Sequence, residues 1–141
     1  MSPELAAALA AEEAAIYAYG LIGVQLTAGR DRAEARGAEQ AHRARRDLLV
    51  SRLAEANAST APAPAGYELP FPVTDRPSAL KLAVHVEDGV AQAWRATLPV
   101  TTGADRSTGL SALTDAAVRA TRWRRVAGVT PLTMPFPGRP S

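Results

Sequence analysis

The sequence predicts an all-α fold: a bundle of four helices with one long proline-rich crossover between helices 2 and 3 and an extended C-terminal tail. Three observations predict it. Apolar residues recur in alternating steps of three and four along four segments, the spacing of helices that bury one face. Of the 141 residues 31 are alanine and only seven are aromatic, which favours closely spaced helices over large core side chains. Two of the three connections are short, and the third is long.

The composition limits the classes of protein that the chain can belong to. Its length fits one domain, which we place at residues 1–141. Cysteine is absent, so a metal site would have to use Asp, Glu and His. We find no basic region followed by an apolar run, nor eighteen consecutive uncharged apolar residues, and we therefore expect a cytoplasmic protein with no membrane partner. The net charge of +2 makes a nucleic-acid partner unlikely.

The first predicted helix runs from Pro3 to about Thr27 and carries a carboxylate where an apolar residue is expected. Its inward positions are Leu5, Leu9, Glu12, Ile16, Tyr19, Gly23 and Leu26. Glu12 therefore faces the core. A carboxylate in a low-dielectric interior must bind a metal ion, pair with a cation or be protonated, because an isolated buried charge is strongly unfavourable.

A short turn at Gly29 predicts that the second helix, from about Arg32 to Asn57, runs antiparallel to the first. We expect Gly29 to end the first helix and Asp31 to cap the second. The inward face of this second helix is Ala35, Glu39, His42, Arg46, Leu49 and Leu53. Glu39 and His42 form a Glu-x-x-His pair, whose spacing places both side chains on one face where they could share a metal ion. A buried or half-exposed histidine without metal is the more common occurrence.

The stretch from Ala58 to Pro77 contains five prolines and predicts a non-helical strap. Its apolar residues are expected to pack onto the bundle; they are Tyr67, Leu69, Phe71 and Val73. At ~3.1 Å per residue, about a dozen extended residues span the roughly 37 Å of a long helix. The strap can therefore cross the bundle, and we predict that helix 3 is parallel to helix 2.

The third helix is predicted from about Pro77 to Leu98, with Asp75 as its cap. Its inward positions are Leu80, Val84, Glu87, Ala91, Trp94 and Leu98. Glu87 thus occupies an inward position, as Glu12 does in the first helix. His85 points elsewhere and is expected to be solvated.

The fourth helix is predicted from the turn at residues 101–105 to about Val126. Its inward candidates are Leu110, Leu113, Ala117, Ala120 and Trp123, and it contains neither Glu nor His. Arg122, Arg124 and Arg125 crowd its C-terminal end, which favours dipole complementation over a nucleic-acid site. The tail from Val129 to Ser141 has four prolines and is predicted to be non-helical, covering apolar surface on the bundle or on a second subunit.

Five stretches give the chain a resemblance to a known family: AEEAAIYAYG (11–20), AHRARRD (41–47), YELPFPV (67–73), AWR (93–95) and TPLTMPFPG (130–138). The chain resembles the ferritin-like four-helix proteins, and within them an actinobacterial family of unestablished function. The resemblance implies a ferritin-like bundle, a homodimer and no assigned reaction. In metal-binding ferritin-like proteins, helices 1 and 3 each give a Glu, and helices 2 and 4 each give a Glu-x-x-His pair.

Three of those four contributions have counterparts here: Glu12, Glu39 with His42, and Glu87. The fourth helix offers none. Counted from Gly29, Glu12 is offset from Glu39 and His42 by roughly 6 to 10 Å at ~1.5 Å per residue. The residue level with Glu12 on that count is Arg46, so we predict an ion pair between Glu12 and Arg46 in place of a metal ion. Arg119 or Arg122 could pair with Glu87 in the same way.

Two function classes remain after these observations. The first is a non-catalytic structural or interaction protein that has kept a ferritin-like frame with a degenerate metal site and no cofactor. The alternative is a di-iron-carboxylate type of oxidoreductase, or a metal carrier, that binds iron or manganese through Glu12, Glu39, His42 and Glu87. No catalytic residue is assigned, because nothing in the sequence pairs a nucleophile with a base or forms a phosphate loop.

Overall fold

The structure is a computed structural model that describes residues 2–140. It contains four α-helices: α1 (Pro3–Gln25), α2 (Gly29–Glu55), α3 (Arg76–Thr97) and α4 (Gly103–Ala127). A short 3-10 turn, Leu98–Val100, joins the last two helices. The prediction of an all-α four-helix bundle is confirmed. The most extensive helix–helix contacts are between α3 and α4, between α1 and α3, and between α1 and α2.

Local sequence explains where most of the helices begin and end. Ser2 caps α1 by accepting a hydrogen bond from the backbone of Leu5. Asp75 and Ser78 form a reciprocal capping box at the start of α3, as the sequence indicated for Asp75. Gly128 ends α4 in the left-handed conformation, with φ of 70°.

The turn between α1 and α2 differs from the prediction. Gly29 is the first residue of α2 and not the end of α1, and Ala28 at the cap position gives no side-chain cap. Asp31 lies inside the first turn of α2, where its Oδ2 accepts a hydrogen bond of 2.8 Å from Nε of Arg76. The loop between the helices is therefore centred near Thr27, two residues earlier than Gly29.

The long strap crosses the bundle, as predicted. The ion pair between Asp31 and Arg76 joins the first turns of α2 and α3, so both helices start at the same end. At the other end Arg52 of α2 pairs with Asp105 in the first turn of α4. Helices α2 and α3 are consequently parallel, and α4 runs opposite to both.

The second half of the strap packs on the bundle. Leu69, Phe71 and Val73 are partly buried against the core. The ammonium group of Lys81 lies over the ring of Phe71, 4.5 Å from its centroid, in a cation–π contact. This segment is therefore an ordered part of the fold, as the sequence predicts.

The core consists of two apolar clusters, one towards each end of the bundle. The cluster near the α1–α2 turn contains Ile22, Leu26, Leu80, Leu82 and Trp123 among its largest members. The cluster at the other end contains Leu9, Leu49, Leu53, Val90 and Trp94. Between these clusters lies a group of buried polar side chains that is described in the next section.

In the first half of α4 the inward face is shifted by one residue from the prediction, whereas Ala120 and Trp123 are buried as predicted. Leu110 is 55% exposed, whereas Gly109, Ala112 and Ala116 are buried. The reason is close packing against α3: a Cβ added to Gly109 would lie 2.6 Å from Oγ1 of Thr97. Because small residues make this contact, a pattern based on large apolar residues selects the wrong positions in this half of the helix.

Helix α1 has the length and apolar composition of a helix that could cross a membrane, a test that core helices of soluble proteins also pass. In the bundle it buries Glu12 and six apolar residues against its neighbours. The expectation of no membrane partner remains a prediction.

The tail is non-helical, as predicted. It is attached to α3 mainly through its backbone and less through its apolar side chains. Arg95 donates a 3.0 Å hydrogen bond to the carbonyl of Pro137. Gly138, with φ of 77°, lies so close to α3 that a Cβ would be 2.5 Å from the carbonyl oxygen of Ala91. Met134 and Phe136 stay 42% and 56% exposed. The last residue of the predicted tail, Ser141, lies outside the described residues.

Candidate functional site

His42 lies at the centre of the bundle, fully buried, between two carboxylates from other helices. Its Nδ1 is 2.5 Å from Oε2 of Glu12 on α1, and its Nε2 is 2.8 Å from Oε2 of Glu87 on α3. A neutral imidazole has only one N–H, so its other nitrogen would present a lone pair to a carboxylate oxygen. Both nitrogens donate if the ring is protonated, and the geometry is that of an imidazolium bridging two carboxylates.

The surroundings of His42 favour this charged form. Burial removes water and lowers the pKa of His42, but the hydrogen bonds to Glu12 and Glu87 and the negative charges of these groups outweigh burial. Their combined effect raises the pKa from 6.5 to about 9. At neutral pH the ring therefore carries a positive charge.

Aromatic side chains supply further donors to the two carboxylates. Nε1 of Trp94 donates to Oε1 of Glu12 at 2.7 Å, and the hydroxyl of Tyr19 donates to Oε2 of Glu87 at 2.6 Å. Nε1 of Trp123 donates to the Tyr19 oxygen at 2.9 Å. Burial, and then the charge of Glu87, raises the pKa of Tyr19 well above its usual value, so Tyr19 keeps its proton.

A second cation completes the buried network. Nε of Arg119 on α4 donates to Oε1 of Glu87 at 3.2 Å, and the Arg119 side chain is only 15% exposed. The network therefore contains two carboxylates, one imidazolium and one guanidinium, and every helix contributes to it. Buried charges are tolerated when they are paired and their remaining hydrogen-bonding positions are filled, which is the situation of Glu87.

The structure brings together three of the residues that the sequence singled out and leaves two outside. Glu12, His42 and Glu87 converge, each at most 1% exposed. Glu39 lies on the outer side of α2, 29% exposed and 3.7 Å from Arg43. The predicted inward position of Glu39 is wrong, because the neighbouring Ala38 is the residue that α2 buries there.

The predicted ion pair between Glu12 and Arg46 is also wrong. Arg46 is 31% exposed and pairs with its neighbour Asp47 at 2.9 Å, while Glu12 is satisfied by His42 and Trp94. The error comes from the position of the centre of the α1–α2 turn. Glu12 and His42, the two residues that meet, are equally distant in sequence from Thr27 and not from Gly29. Moving the centre by two residues moves the facing position on α2 by four, or about 6 Å.

Of the two arginines considered for Glu87, Arg119 makes the contact, and Arg122 is exposed. The sequence analysis missed the roles of Tyr19, Trp94 and Trp123, although it placed all three on inward faces. Buried Tyr and Trp need partners for their O–H and N–H groups. Three such residues on faces that also hold Glu12 and Glu87 were a signal that could have revealed the network.

The residues do not fit a resident metal ion in this arrangement. Ligand atoms about 2.0–2.2 Å from one ion lie roughly 3 Å or more apart, whereas the contacts of His42 with Glu12 and Glu87 are 2.5 and 2.8 Å. The two ring nitrogens also point in opposite directions. Among residues 2–140, no group of three or more His, Asp or Glu side chains is arranged to hold a metal ion.

Within residues 2–140, solvent barely reaches the centre of the network. Glu12, His42 and Glu87 are enclosed by the four helices and by Tyr19 and Trp94, and their exposure is at most 1%. Chemistry at these groups would require the bundle to open. The network joins side chains from all four helices.

Comparisons with known proteins place the chain in a family. The family described as "Domain of unknown function (DUF4439)" matches residues 4–141. The chain belongs to the DUF4439 family. A solved structure, that of the conserved hypothetical protein Rv2844 from Mycobacterium tuberculosis, is similar to this DUF4439 chain at 40% sequence identity and a TM-score of 0.82. The similarity covers 87% of this chain and 93% of Rv2844. The comparison with functionally curated proteins gave no match.

Proposed function

We propose that this DUF4439 protein is a non-catalytic structural or interaction protein built on a ferritin-like frame with a degenerate metal site. The observation that carries the proposal is the bridge from Glu12 through His42 to Glu87. An imidazolium whose two ring N–H groups both donate to carboxylates has no lone pair left for a metal ion.

The fourth helix supports the same conclusion. In metal-binding ferritin-like proteins this helix gives a second Glu-x-x-His pair. Here α4 contributes Arg119, which donates to Glu87, and Trp123, which donates to Tyr19. Together His42 and Arg119 supply the positive charge that metal ions would otherwise bring to the two carboxylates.

Metal analysis tests the proposal. Protein expressed in medium supplemented with iron and manganese should contain well below one equivalent of either metal, and its melting temperature should not change with a chelator. The same analysis of the His42→Ala variant should also give no metal, provided that the variant folds. Two metal ions per chain in the wild-type protein, lost together with thermal stability on chelation, would contradict the proposal.

The alternative is a metal-dependent oxidoreductase or metal carrier using iron or manganese. One observation favours it: Glu12, His42 and Glu87 do converge from three helices. For this function the carboxylates would have to move away from His42, which would lose its proton on binding the ion. Metal loading would then rise with pH, which distinguishes this function from the proposed one.

The assembly and location remain proposals of the same kind. We propose a cytoplasmic homodimer with no membrane or nucleic-acid partner. Sedimentation of the purified chain should give twice the monomer mass, and retention on a polyanion column should be weak at physiological salt. A monomer at micromolar concentration would remove the dimer from the proposal.

A further inference from the structure

A groove of about 590 Å³ lies on the outside of the bundle between α3, α4 and the tail. Its floor and walls are mainly apolar; besides two prolines of the tail, the apolar residues are Ala91, Leu113, Ala117, Val118, Met134 and Phe136. The volume is within the range of about 300–1,000 Å³ that is typical of small-molecule sites. The groove contains neither Glu12 nor His42, so the inference does not depend on the proposed function.

The rim of the groove has an excess of positive charge. Four arginines and one carboxylate line it. Arg124 is neutralised by an ion pair with Asp88. Arg95 donates only to the neutral carbonyl of Pro137. Arg122 and Arg125 make no side-chain hydrogen bond or ion pair within residues 2–140, so their charges are available to a ligand.

The two free arginines sit together at one end of the groove. Arg122 and Arg125 are three residues apart on α4, so their side chains lie on neighbouring positions of one helix face. From this end the apolar wall follows α4 back to Leu113, a distance of about 18 Å at ~1.5 Å per residue. A ligand that matches this layout has one anionic head and a single apolar chain.

The tail forms the other wall. Residues 133–137 line the groove, and the tail is fixed to α3 on the C-terminal side of this stretch by Gly138. The side chains of Met134 and Phe136 are half exposed because they face the groove rather than the core. Apolar side chains fixed in this way are a ready surface for an alkyl chain.

We propose that this groove binds a single-chain fatty carboxylate. The carboxylate would pair with Arg122 and Arg125, and the alkyl chain would lie between α4 and the tail. The charge of the rim selects the anionic head, and the apolar walls exclude a simple inorganic anion as the complete ligand. A polyanion such as nucleic acid would leave those walls exposed.

Calorimetric titration of the full chain with dodecanoate, kept below its micellar concentration, tests the proposal. Binding should be saturable at one equivalent. Dodecanol has the same chain without the charge, and acetate has the charge without the chain; both should bind at least about tenfold more weakly. If dodecanol binds as tightly as dodecanoate, or if dodecanoate does not bind, the proposal is wrong.

Matched variants locate the site. The double change Arg122→Gln and Arg125→Gln should weaken dodecanoate binding at least about tenfold. It should lower the melting temperature only slightly, because both side chains are exposed and only their interaction with the C-terminal end of α4 is lost. The control is Arg30→Gln with Arg43→Gln, two exposed arginines on α2 outside the groove, which should leave binding unchanged. Equal losses in both double variants would mean that only the net charge matters, and would overturn the assignment.

A change in the apolar wall provides a second test. Val118 is 44% exposed, so Val118→Glu should fold and should also repel a carboxylate from the groove. Binding of dodecanoate should then be lost. If the variant instead dissociates an oligomer and leaves dodecanoate binding intact, the groove is an interface between copies of the chain and the proposal fails.

Discussion

The interior of the bundle and the outer face of α2 contain the same kinds of charged group, but the consequences for stability differ. On the outside, Arg45 pairs with Asp115 at 2.6 Å, and Asp115 is 49% exposed. In the interior, His42 is fully buried between Glu12 and Glu87. Exposed ion pairs contribute about 0–1 kcal/mol, whereas removing one member of a buried pair costs about 3–5 kcal/mol. Burial therefore matters more than the length of the contact.

The largest effect is expected from replacing the buried histidine. His42→Ala leaves Glu12 and Glu87 without the imidazolium and should lower the free energy of unfolding by about 4 kcal/mol. The matched control is His85→Ala on α3, an exposed histidine, which should change it by less than about 1 kcal/mol. Chemical denaturation measures both. Equal effects would show that the buried ion bridge does not contribute to stability.

The pH dependence of stability gives the next largest effect. The pKa of His42 is about 9 in the folded protein and 6.5 ordinarily, so its contribution is complete below pH 6.5 and lost as the pH rises through 9. The free energy of unfolding should fall by about 3 kcal/mol across that window. Measurement in the His85→Ala background leaves His42 as the only histidine in the chain. Stability that rises over this window would contradict an imidazolium at His42.

A smaller effect should follow from removing one hydroxyl group from the network. Tyr19→Phe removes the donor to Glu87 and leaves Nε1 of Trp123 without its acceptor. The expected loss is about 2 kcal/mol, because a buried polar group is left unsatisfied. Tyr17→Phe, two residues away on the same helix and 36% exposed, is the control and should be nearly neutral. Thermal unfolding of the two variants should separate them clearly.

The smallest effect belongs to the surface. Arg46→Ala removes the pair with Asp47, which is itself 67% exposed, and should change the free energy of unfolding by less than about 1 kcal/mol. Urea denaturation provides the measurement. A loss of about 3 kcal/mol would indicate that Arg46 does hold Glu12, as the sequence first suggested.

The fold could be predicted largely from sequence because its determinants are local. Pro77 and Asp75 mark the start of α3, and the strap is long enough to cross the bundle. The inward placement of Glu12, His42 and Glu87 also followed from helical periodicity, and the structure buries all three. Periodicity shows which face of a helix is buried, so it can identify candidate members of a buried site.

The partners within the site could not be predicted in the same way, because they depend on how far one helix slides along another. A shift of two residues in the centre of the α1–α2 turn was enough to replace His42 by Arg46 as the partner of Glu12. The inward positions in the first half of α4 were missed for a related reason, since Gly109 and Ala112 gain their contacts from close approach and not from hydrophobicity. The slide of one helix along another and the closeness of two helices are both properties of the packed bundle.

The crossing strap also has a consequence for how the chain folds. Because it makes α1 pack against α3, the contacts of the network join distant parts of the sequence: Trp94 and Glu12 are 82 residues apart, and Trp123 and Tyr19 are 104 apart. Contacts of such high sequence separation slow folding relative to bundles whose neighbouring helices are also neighbours in sequence. An α1–α2 hairpin emerging during synthesis carries Glu12 and His42 but lacks Glu87 and Arg119. The pair in the hairpin is neutral by itself, α3 then adds the negative charge of Glu87, and α4 supplies the balancing Arg119, so the network is complete only after the last helix has been made.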